Sequence, residues 1–377
     1  PPPGAARARP MAWRRALPAL AAAAVWQLGQ HSEHIAQRLD ALGDGEARRR
    51  AFPPGAHAHP TPVLSPPAGG RARLVWTSGL HELPGGRRLW WQQISPRGEE
   101  PRAVVVFIHG FGDHSDFALY NTARAFVQHT GCRALLVDMP GHGRSDGLHG
   151  LVADWAGHLE ALGHWCDAVC LAGAPDRGRA GRAPLFLFGS SMGGAAAIGL
   201  ALRRPTEFAG LLLVAPLVRV APHVRPHPAV EAALQLLGRV PVLRELPVLK
   251  GKDLAALNYA PGAVWRLEED RRLNALHYWG RLRLRTARSV LEASDFIESR
   301  MDNLSVPMLV LHGAGDKTTS PEMSEELVRR AASVDKSVQL VPGAVHGLHY
   351  GESPETMSRV YHSMFAWLEG RAPPRPA

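Results

Sequence analysis

The stretch most able to do chemistry is Gly-Ser-Ser-Met-Gly at residues 189–193, which lies between an apolar run and an alanine-rich segment. Only Ser191 fits the pattern Gly-x-Ser-x-Gly, because the frame centred on Ser190 lacks its first glycine. A serine on a sharp strand-to-helix turn presents its hydroxyl at a helix amino terminus, where backbone N–H groups favour developing negative charge. Gly189 and Gly193 would keep side chains out of that tight junction. The pattern predicts that Ser191 is a nucleophile.

A serine nucleophile needs a base to accept its proton and an acid to orient that base. Asp316 directly follows the apolar run PMLVLHG, and His346 follows VQLVPGAV, so both stand where the order Ser, Asp, His requires them. His349 is the alternative base, and we interpret it as a neighbouring polar or packing residue. Asp302 is the alternative acid, but it precedes its strand. The prediction is therefore Ser191, Asp316 and His346.

A tetrahedral oxyanion needs two backbone donors. The amide of Met192, directly after the nucleophile, is one. The loop His-Gly-Phe-Gly that starts at His109 should supply the other, and we assign it to Phe111. In this interpretation His109 and Gly110 support the loop and do not react.

These segments all follow apolar runs that alternate with helical patterns, from about residue 72 onwards. Alternation of this kind predicts a mostly parallel sheet flanked by helices, with ligands at the carboxyl ends of the strands. The alternation of strands and helices stops after the sixth strand, because residues 217–302 have helical patterns and no buried strand. We therefore expect an α/β core at 72–216 and 303–377, interrupted by a helical cap.

The first 71 residues differ in composition from the rest. Residues 1–75 contain ten arginines and four acidic residues, which leaves +3 of the formal charge of +9 for the remainder. The folded part is thus nearly balanced, which argues against nucleic-acid binding. The tail is expected to be low in complexity and disordered. It suggests plastid or secretory targeting or membrane association; without such a signal the protein would be cytoplasmic.

Cysteines and metal-ligand spacings give no sign of a cofactor. The three cysteines, at 132, 166 and 170, are too few for a disulfide framework. No metal-binding spacing or phosphate-binding loop stands out, and we expect neither metal nor cofactor.

Several longer stretches carry a resemblance to a known family. They are HGFGDHS, DMPGHGRSDGLHG, GSSMGGAAA, LLVAPLVRVA, LRLRTA and VLHGAGDKTTSPEMSEEL. Together they resemble the monoacylglycerol lipase family of α/β-hydrolases. The likeness is to its plant-type branch, which includes lysophospholipases and caffeoylshikimate esterases, and it extends from about residue 72 to 370.

That resemblance implies an α/β-hydrolase fold, a triad of Ser191, Asp316 and His346, and a cap over an acyl channel. Two positions depart from the pattern: Gly315 replaces a usual acidic residue, and Gly347 follows the histidine, where we expect it to loosen the loop.

The expected reaction is hydrolysis of a lipid ester, monoacylglycerol or a lysophospholipid, through an acyl-serine. The alternatives are hydrolysis of a phenolic ester, acyl transfer to an alcohol, and a non-catalytic binding protein on the same fold. The many leucines and valines of the cap suit an apolar channel or peripheral contact with a membrane, and the alternative is a cap that packs wholly on the core.

Overall fold

The computed structural model describes residues 48–49, 74–171, 183–220, 227–237, 245–249, 256–265 and 276–374. Within these residues eight strands form one sheet in the order β1-β2-β4-β3-β5-β6-β9-β10. The first pairings, β1 with β2 and β2 with β4, are antiparallel, and the others are parallel. The strands are β1 (Leu74–Glu82), β2 (Arg88–Pro96), β3 (Val104–Ile108), β4 (Arg133–Val137), β5 (Leu185–Ser190), β6 (Gly210–Val214), β9 (Met308–Gly313) and β10 (Lys336–Val341). The predicted mostly parallel α/β sheet is confirmed.

The central strands are apolar on both faces because helices cover both faces of the sheet. Every residue of β5, β6 and β9 is buried. Alternate residues of β3 enter different cores: Val106 and Ile108 lie in one apolar cluster, Val105 and Phe107 in the other. The helices of the fold are α1 (Ala118–Thr130), α2 (Trp155–Trp165), α3 (Met192–Arg203), α4 (Pro228–Leu237), α5 (Leu284–Glu298), α6 (Pro321–Arg330) and α7 (Pro354–Glu369).

The two cores hold the sheet from both faces and so fix the strand ends that carry the site. Helices α2, α3, α5 and α6 contribute to the first cluster, whereas α1 and α7 contribute to the second. The fixed sheet therefore holds the loops after β3, β5, β9 and β10 at one edge, where the predicted site residues lie.

The insertion after β6 contains both helix and a short ribbon. Helix α4 and two 3-10 turns, Ala256–Asn258 and Pro261–Ala263, lie in it, together with strands β7 (Pro247–Leu249) and β8 (Leu282–Arg283), which pair antiparallel. Strands of three and two residues are too short to give a periodic pattern, and so the ribbon was absent from the sequence-based prediction. Helix α5 adds Ala293 and Ile297 to the first core. The division of the chain into a core and a cap at 217–302 stays a prediction.

Two residues of the amino-terminal segment lie against the core. Arg48 and Arg49 are helical and contact the loop at 143–147. The rest of 1–71, with the predicted targeting signal, lies outside the described residues. In the described part of the chain, no helix has the length and apolar character needed to cross a bilayer.

Candidate active site

Ser191 occupies the turn between β5 and α3. Its backbone has φ 54° and ψ −120°, a conformation that a residue with a side chain seldom adopts. The turn is held by its own backbone bonds: the Ser191 N–H donates to the Val214 carbonyl at 3.1 Å, and the Ser191 carbonyl accepts from Gly194 at 2.9 Å. The predicted strand-to-helix elbow is therefore present at this serine.

The glycines beside the elbow allow three chain segments to come together. A Cβ added to Gly193 would overlap the carbonyl oxygens of Ile108 and His109, at the end of β3. A Cβ on Gly189 would overlap the carbonyl of Gly193, and one on Gly110 would lie 3.3 Å from the Ser191 Cβ. The backbone approach is thus possible only without side chains at Gly189 and Gly193.

The side chains of Asp316 and His346 are joined by a short hydrogen bond. The His346 Nδ1 lies 2.6 Å from Asp316 Oδ2, and both side chains are buried. The same carboxylate oxygen lies 3.0 Å from His312 Nε2 and accepts a hydrogen bond of 2.9 Å from the Thr319 hydroxyl. This arrangement fixes the His346 ring with Nδ1 toward the acid.

The other oxygen of Asp316 accepts backbone N–H groups. Thr318 donates at 2.7 Å and Thr319 at 3.2 Å. Burial alone would raise the pKa of the Asp316 carboxyl, but the charge of His346 and the hydrogen bonds from His312 and His346 lower that pKa well below its usual range. Asp316 is therefore a carboxylate at neutral pH. The alternative acid, Asp302, is instead in an exposed ion pair with Arg330.

Ser191 and His346 line one cavity, but among the described residues no hydrogen bond joins the Ser191 hydroxyl to the His346 ring. Such contacts often tighten only when substrate binds. His349 lies elsewhere: its Nε2 is 3.3 Å from the Ser190 hydroxyl, and its Nδ1 is 2.9 Å from that of Thr122. Burial lowers the pKa of His349 to about 4. Its contacts fit the predicted polar packing role.

The loop with Phe111 is held by His109. The His109 Nδ1 lies 2.7 Å from the Gly110 carbonyl, and the Met139 N–H donates to His109 Nε2 at 2.9 Å. Burial lowers the pKa of His109, and nearby carboxylates offset this only in part. A neutral ring that donates from Nδ1 and accepts at Nε2 satisfies both contacts. Met192, the other predicted oxyanion donor, is the first residue of α3, where the backbone N–H groups have no acceptor within the helix.

The cavity has a volume of about 50 Å³. It is lined by the loops just described and by residues of the insertion, which are Asn258, Tyr259, His277 and Trp279. Two polar atoms in this lining are buried and without a hydrogen-bond partner among the described residues, the side-chain oxygen of Asn258 and Nδ1 of His277. The latter is 3.9 Å from a carboxylate oxygen of Asp113, too far for a hydrogen bond.

The insertion is joined to the loop that carries His346. The Gly347 N–H donates to the Asn258 carbonyl at 3.0 Å, and the Ala260 N–H donates to Gly351 at 2.8 Å. A Cβ at Gly347 would overlap the Asn258 carbonyl oxygen. Our expectation that Gly347 loosens this loop was wrong: the glycine permits a close backbone contact that holds it.

Two residues at the acid were missed in the sequence. His312 stands four residues before Asp316 in LHGAGD, and Thr319 three residues after it. The His312 ring is fully buried and also contacts the Ser324 hydroxyl at 2.7 Å. A histidine inside an apolar strand next to a candidate acid was the available signal. Gly315, the other departure from the family pattern, donates its N–H to the Ala344 carbonyl at 2.8 Å.

The sequence also resembles known proteins along most of its length. Human monoglyceride lipase is 29% identical over 286 residues, which cover 76% of this chain and 88% of that protein. Caffeoylshikimate esterase of Arabidopsis thaliana is 26% identical over 294 residues, covering 76% and 83%.

A solved structure is also similar to this chain. The monoacylglycerol lipase of Paleococcus ferrophilus superposes with a TM-score of 0.61 at 25% identity and covers 75% of this chain and 99% of its own.

Residues 99–354 match the hydrolase family described as serine aminopeptidase, S33. The predicted α/β-hydrolase fold and enzyme class, a serine ester hydrolase, are confirmed by this match together with the relatives. The chain belongs to this S33 family of hydrolases.

Proposed function

We propose that the protein hydrolyses monoacylglycerol through an acyl-enzyme on Ser191. The observation that carries the proposal is the buried His346–Asp316 hydrogen bond in the cavity that also contains the strained Ser191. A strained serine, a histidine and an ionised acid are the parts that acyl transfer needs, and the fold presents them at the carboxyl edge of the sheet.

In the first step His346 Nε2 takes the proton of the Ser191 hydroxyl while the oxygen attacks the ester carbonyl. Asp316 holds Nδ1–H and stabilises the imidazolium that forms. The amides of Met192 and Phe111 donate to the oxyanion. The imidazolium then protonates the leaving alcohol, and a water activated by the same ring releases the fatty acid. Each proton taken by His346 is returned, so the cycle consumes one water and one ester.

The choice of monoacylglycerol is supported by the relatives and by the lining of the cavity. Monoglyceride lipases of three mammals and of a mycobacterium are among the relatives. A glyceryl leaving group keeps two hydroxyls, and polar residues line the cavity where they would lie, among them Asp113, Asn258 and His277. The reacting ester group would lie in this cavity beside Ser191.

The test is hydrolysis by the full chain of a monoacylglycerol, a lysophosphatidylcholine and caffeoylshikimate at matched concentrations. We expect the highest kcat/KM for the monoacylglycerol and loss of all activity in Ser191→Ala. A higher value for caffeoylshikimate would contradict the substrate and keep the nucleophile. Equal rates in wild type and Ser191→Ala would contradict both.

A second candidate function is favoured by one relative, the caffeoylshikimate esterase, and is hydrolysis of a phenolic ester. Transfer of the acyl group to an alcohol instead of water would use the same intermediate, and added glycerol would then yield a new ester. A non-catalytic binding protein on this fold would show no turnover with any of the three substrates.

We also propose that the insertion makes peripheral contact with a lipid surface. Large apolar side chains in it stand away from the core: Leu236 is 66% exposed and Trp265 is 62% exposed, with Val230, Leu237 and Val264 also exposed. Exposed apolar residues on an insertion that also contributes residues to the lining of the candidate site suit a lipid interface. Sedimentation with phosphatidylcholine vesicles should fall in Leu236→Glu with Trp265→Glu, and should not fall in the distant Val334→Glu. Equal sedimentation of all three proteins would contradict this contact.

A further inference from the structure

Arg48, in the segment expected to be a separate tail, is buried in a cluster of backbone carbonyls. It is 4% exposed. Its Nε donates to the Gly143 carbonyl at 2.6 Å, and one terminal nitrogen donates to Ser145 at 2.6 Å and to Gly147 at 3.2 Å. These partners are 95 to 99 residues away in sequence. A planar guanidinium is the side chain best able to serve several carbonyls in one plane.

Arg49 holds the same loop from its edge. It donates to the Arg144 carbonyl at 2.6 Å and to the Asp146 carboxylate at 2.8 Å. The other oxygen of Asp146 accepts the backbone N–H of Arg88 at 2.9 Å, at the start of β2. The loop is therefore fixed between the amino-terminal segment and the sheet.

That loop supports the loop that contains Phe111. Both are joined to the carboxylate of Asp138: Arg144 donates its N–H to one oxygen at 2.7 Å, and Ser115 donates to the other at 2.7 Å. The buried Arg144 guanidinium forms an ion pair with Asp116, beside Ser115. A shift of the 143–147 loop would thus be transmitted to residues 115–116.

A direct contact reaches the side chain of Phe111, the residue whose amide is the proposed oxyanion donor. The His142 ring packs edge-on against Phe111, with ring centres 5.5 Å apart, and lies 5.3 Å from the ring of His109. No space is left between Gly143 and Asp138, since a Cβ on Gly143 would overlap the Asp138 carboxylate. The loop cannot relax toward Asp138 if its outer support is removed.

We propose that Arg48 is a positioning residue for the oxyanion loop, acting through the loop at 143–147. This proposal rests on the proposed function, because it concerns the amide of Phe111 as an oxyanion donor. Removal of the guanidinium takes the shared donor from three carbonyls, two of them in buried contacts, and the loop can correct this only by moving. An oxyanion donor that is displaced lowers kcat more than it weakens substrate binding.

The first experiment compares Arg48→Ala and Arg48→Lys with the wild-type full chain, with active sites titrated by a fluorophosphonate. We expect kcat for a short-chain monoacylglycerol to fall by about tenfold to a hundredfold in Arg48→Ala, with KM within about twofold. Arg48→Lys should recover only part of the loss, because an ammonium cannot span the three carbonyls. The matched control is Arg329→Ala, which removes an exposed arginine paired with Glu326, and it should keep wild-type kcat.

The second experiment is chemical rescue of Arg48→Ala by methylguanidinium at low millimolar concentration. Recovery of kcat toward the wild-type value, with no effect of methylguanidinium on wild type or Arg329→Ala, is the expected result. A merely structural role would lower the melting temperature and leave kcat per titrated site unchanged. That outcome, or a loss that appears only in KM, would overturn the proposal.

Hydrogen exchange keeps the two proposals separable. Backbone amides at 141–147 and 110–117 should exchange faster in Arg48→Ala than in wild type, whatever the substrate is, and methylguanidinium should restore their protection. Unchanged exchange would overturn the role of Arg48 even if Ser191 is the nucleophile. Faster exchange with activity that does not depend on Ser191 would instead contradict the proposed function.

Discussion

The two halves of the candidate site are held in place by different physical means. Around Asp316 the structure uses polar contacts: five groups from His312, His346, Thr318 and Thr319 converge on one carboxylate. Around Ser191 it uses shape, since Gly193 and Gly189 allow backbone segments to touch where no Cβ fits. The acid half should therefore lose chemistry when it is altered and keep its fold, whereas the elbow half should lose its fold.

The largest effect is expected at the acid. Asp316→Asn keeps the shape of the side chain, but it removes the charge and can leave His346 with its proton on the wrong nitrogen. We expect kcat to fall by about 10⁴-fold in a variant that still folds, with a lowered melting temperature because charge-assisted hydrogen bonds to Asp316 are lost. Circular dichroism measures the melting temperature, and steady-state kinetics measures kcat. A loss below tenfold in a folded variant would show that the acid does not orient the base.

The elbow should give the opposite result. Gly193→Ala drives a methyl group into the Ile108 and His109 carbonyls, and we expect it to lower the free energy of unfolding by about 3 kcal/mol or more. Urea denaturation and soluble yield measure this. Gly262→Ala is the matched control, because no atom of the described residues lies within 4 Å of its added Cβ. Similar stability of the two variants would break the comparison.

A smaller effect is expected where the insertion meets the loop of His346. Gly347→Ala must displace the Asn258 carbonyl, with loss of about 1–3 kcal/mol. Hydrogen exchange should show lost protection at Gly347 and nearby amides, and the rate of ester hydrolysis should fall. Wild-type exchange at these amides would mean that the contact is not formed in solution.

A pH-dependent effect is expected at His349, whose Nε2 lies 3.3 Å from the hydroxyl of Ser190, next to the elbow. Its pKa is lowered to about 4 in the fold by burial, against 6.5 as the ordinary value. The unfolded chain therefore binds the proton first, and the contribution of His349 to stability is present above pH 6.5 and is lost as pH falls toward 4.

His349→Gln should lessen that slope by at most about 1.4 kcal/mol per pH unit. The free energy of unfolding at pH 7.5, 5.5 and 4.5 measures it in both proteins. Parallel curves for wild type and His349→Gln would contradict the buried, neutral state of this ring.

Much of the fold and of the site could be predicted because both are local in sequence. The apolar runs of β3, β5, β6 and β9 are continuous, and each candidate residue follows its strand within a few positions. The elbow is predicted from five consecutive residues, 189–193. The residue roles themselves stay predictions until they are tested by substitution.

What could not be predicted depends on contacts between distant segments. Arg48 lies in an arginine-rich stretch whose composition resembles a solvated tail, and only the fold brings it to carbonyls 95 residues away. The backbone contact between Asn258 and Gly347 likewise leaves no trace in side-chain pattern. His312 is the intermediate case. Its place four residues before the candidate acid is visible in the sequence, but its contact with the Asp316 carboxylate depends on a burial that only the fold shows.

The most direct test of the central claim is labelling by a fluorophosphonate followed by peptide mapping. The account predicts one adduct, on Ser191, that is absent in Ser191→Ala, is retained in Ser190→Ala and forms far more slowly in His346→Ala. An adduct on Ser190, or labelling that persists in Ser191→Ala, would contradict the claim that the elbow serine is the nucleophile activated by His346 and Asp316.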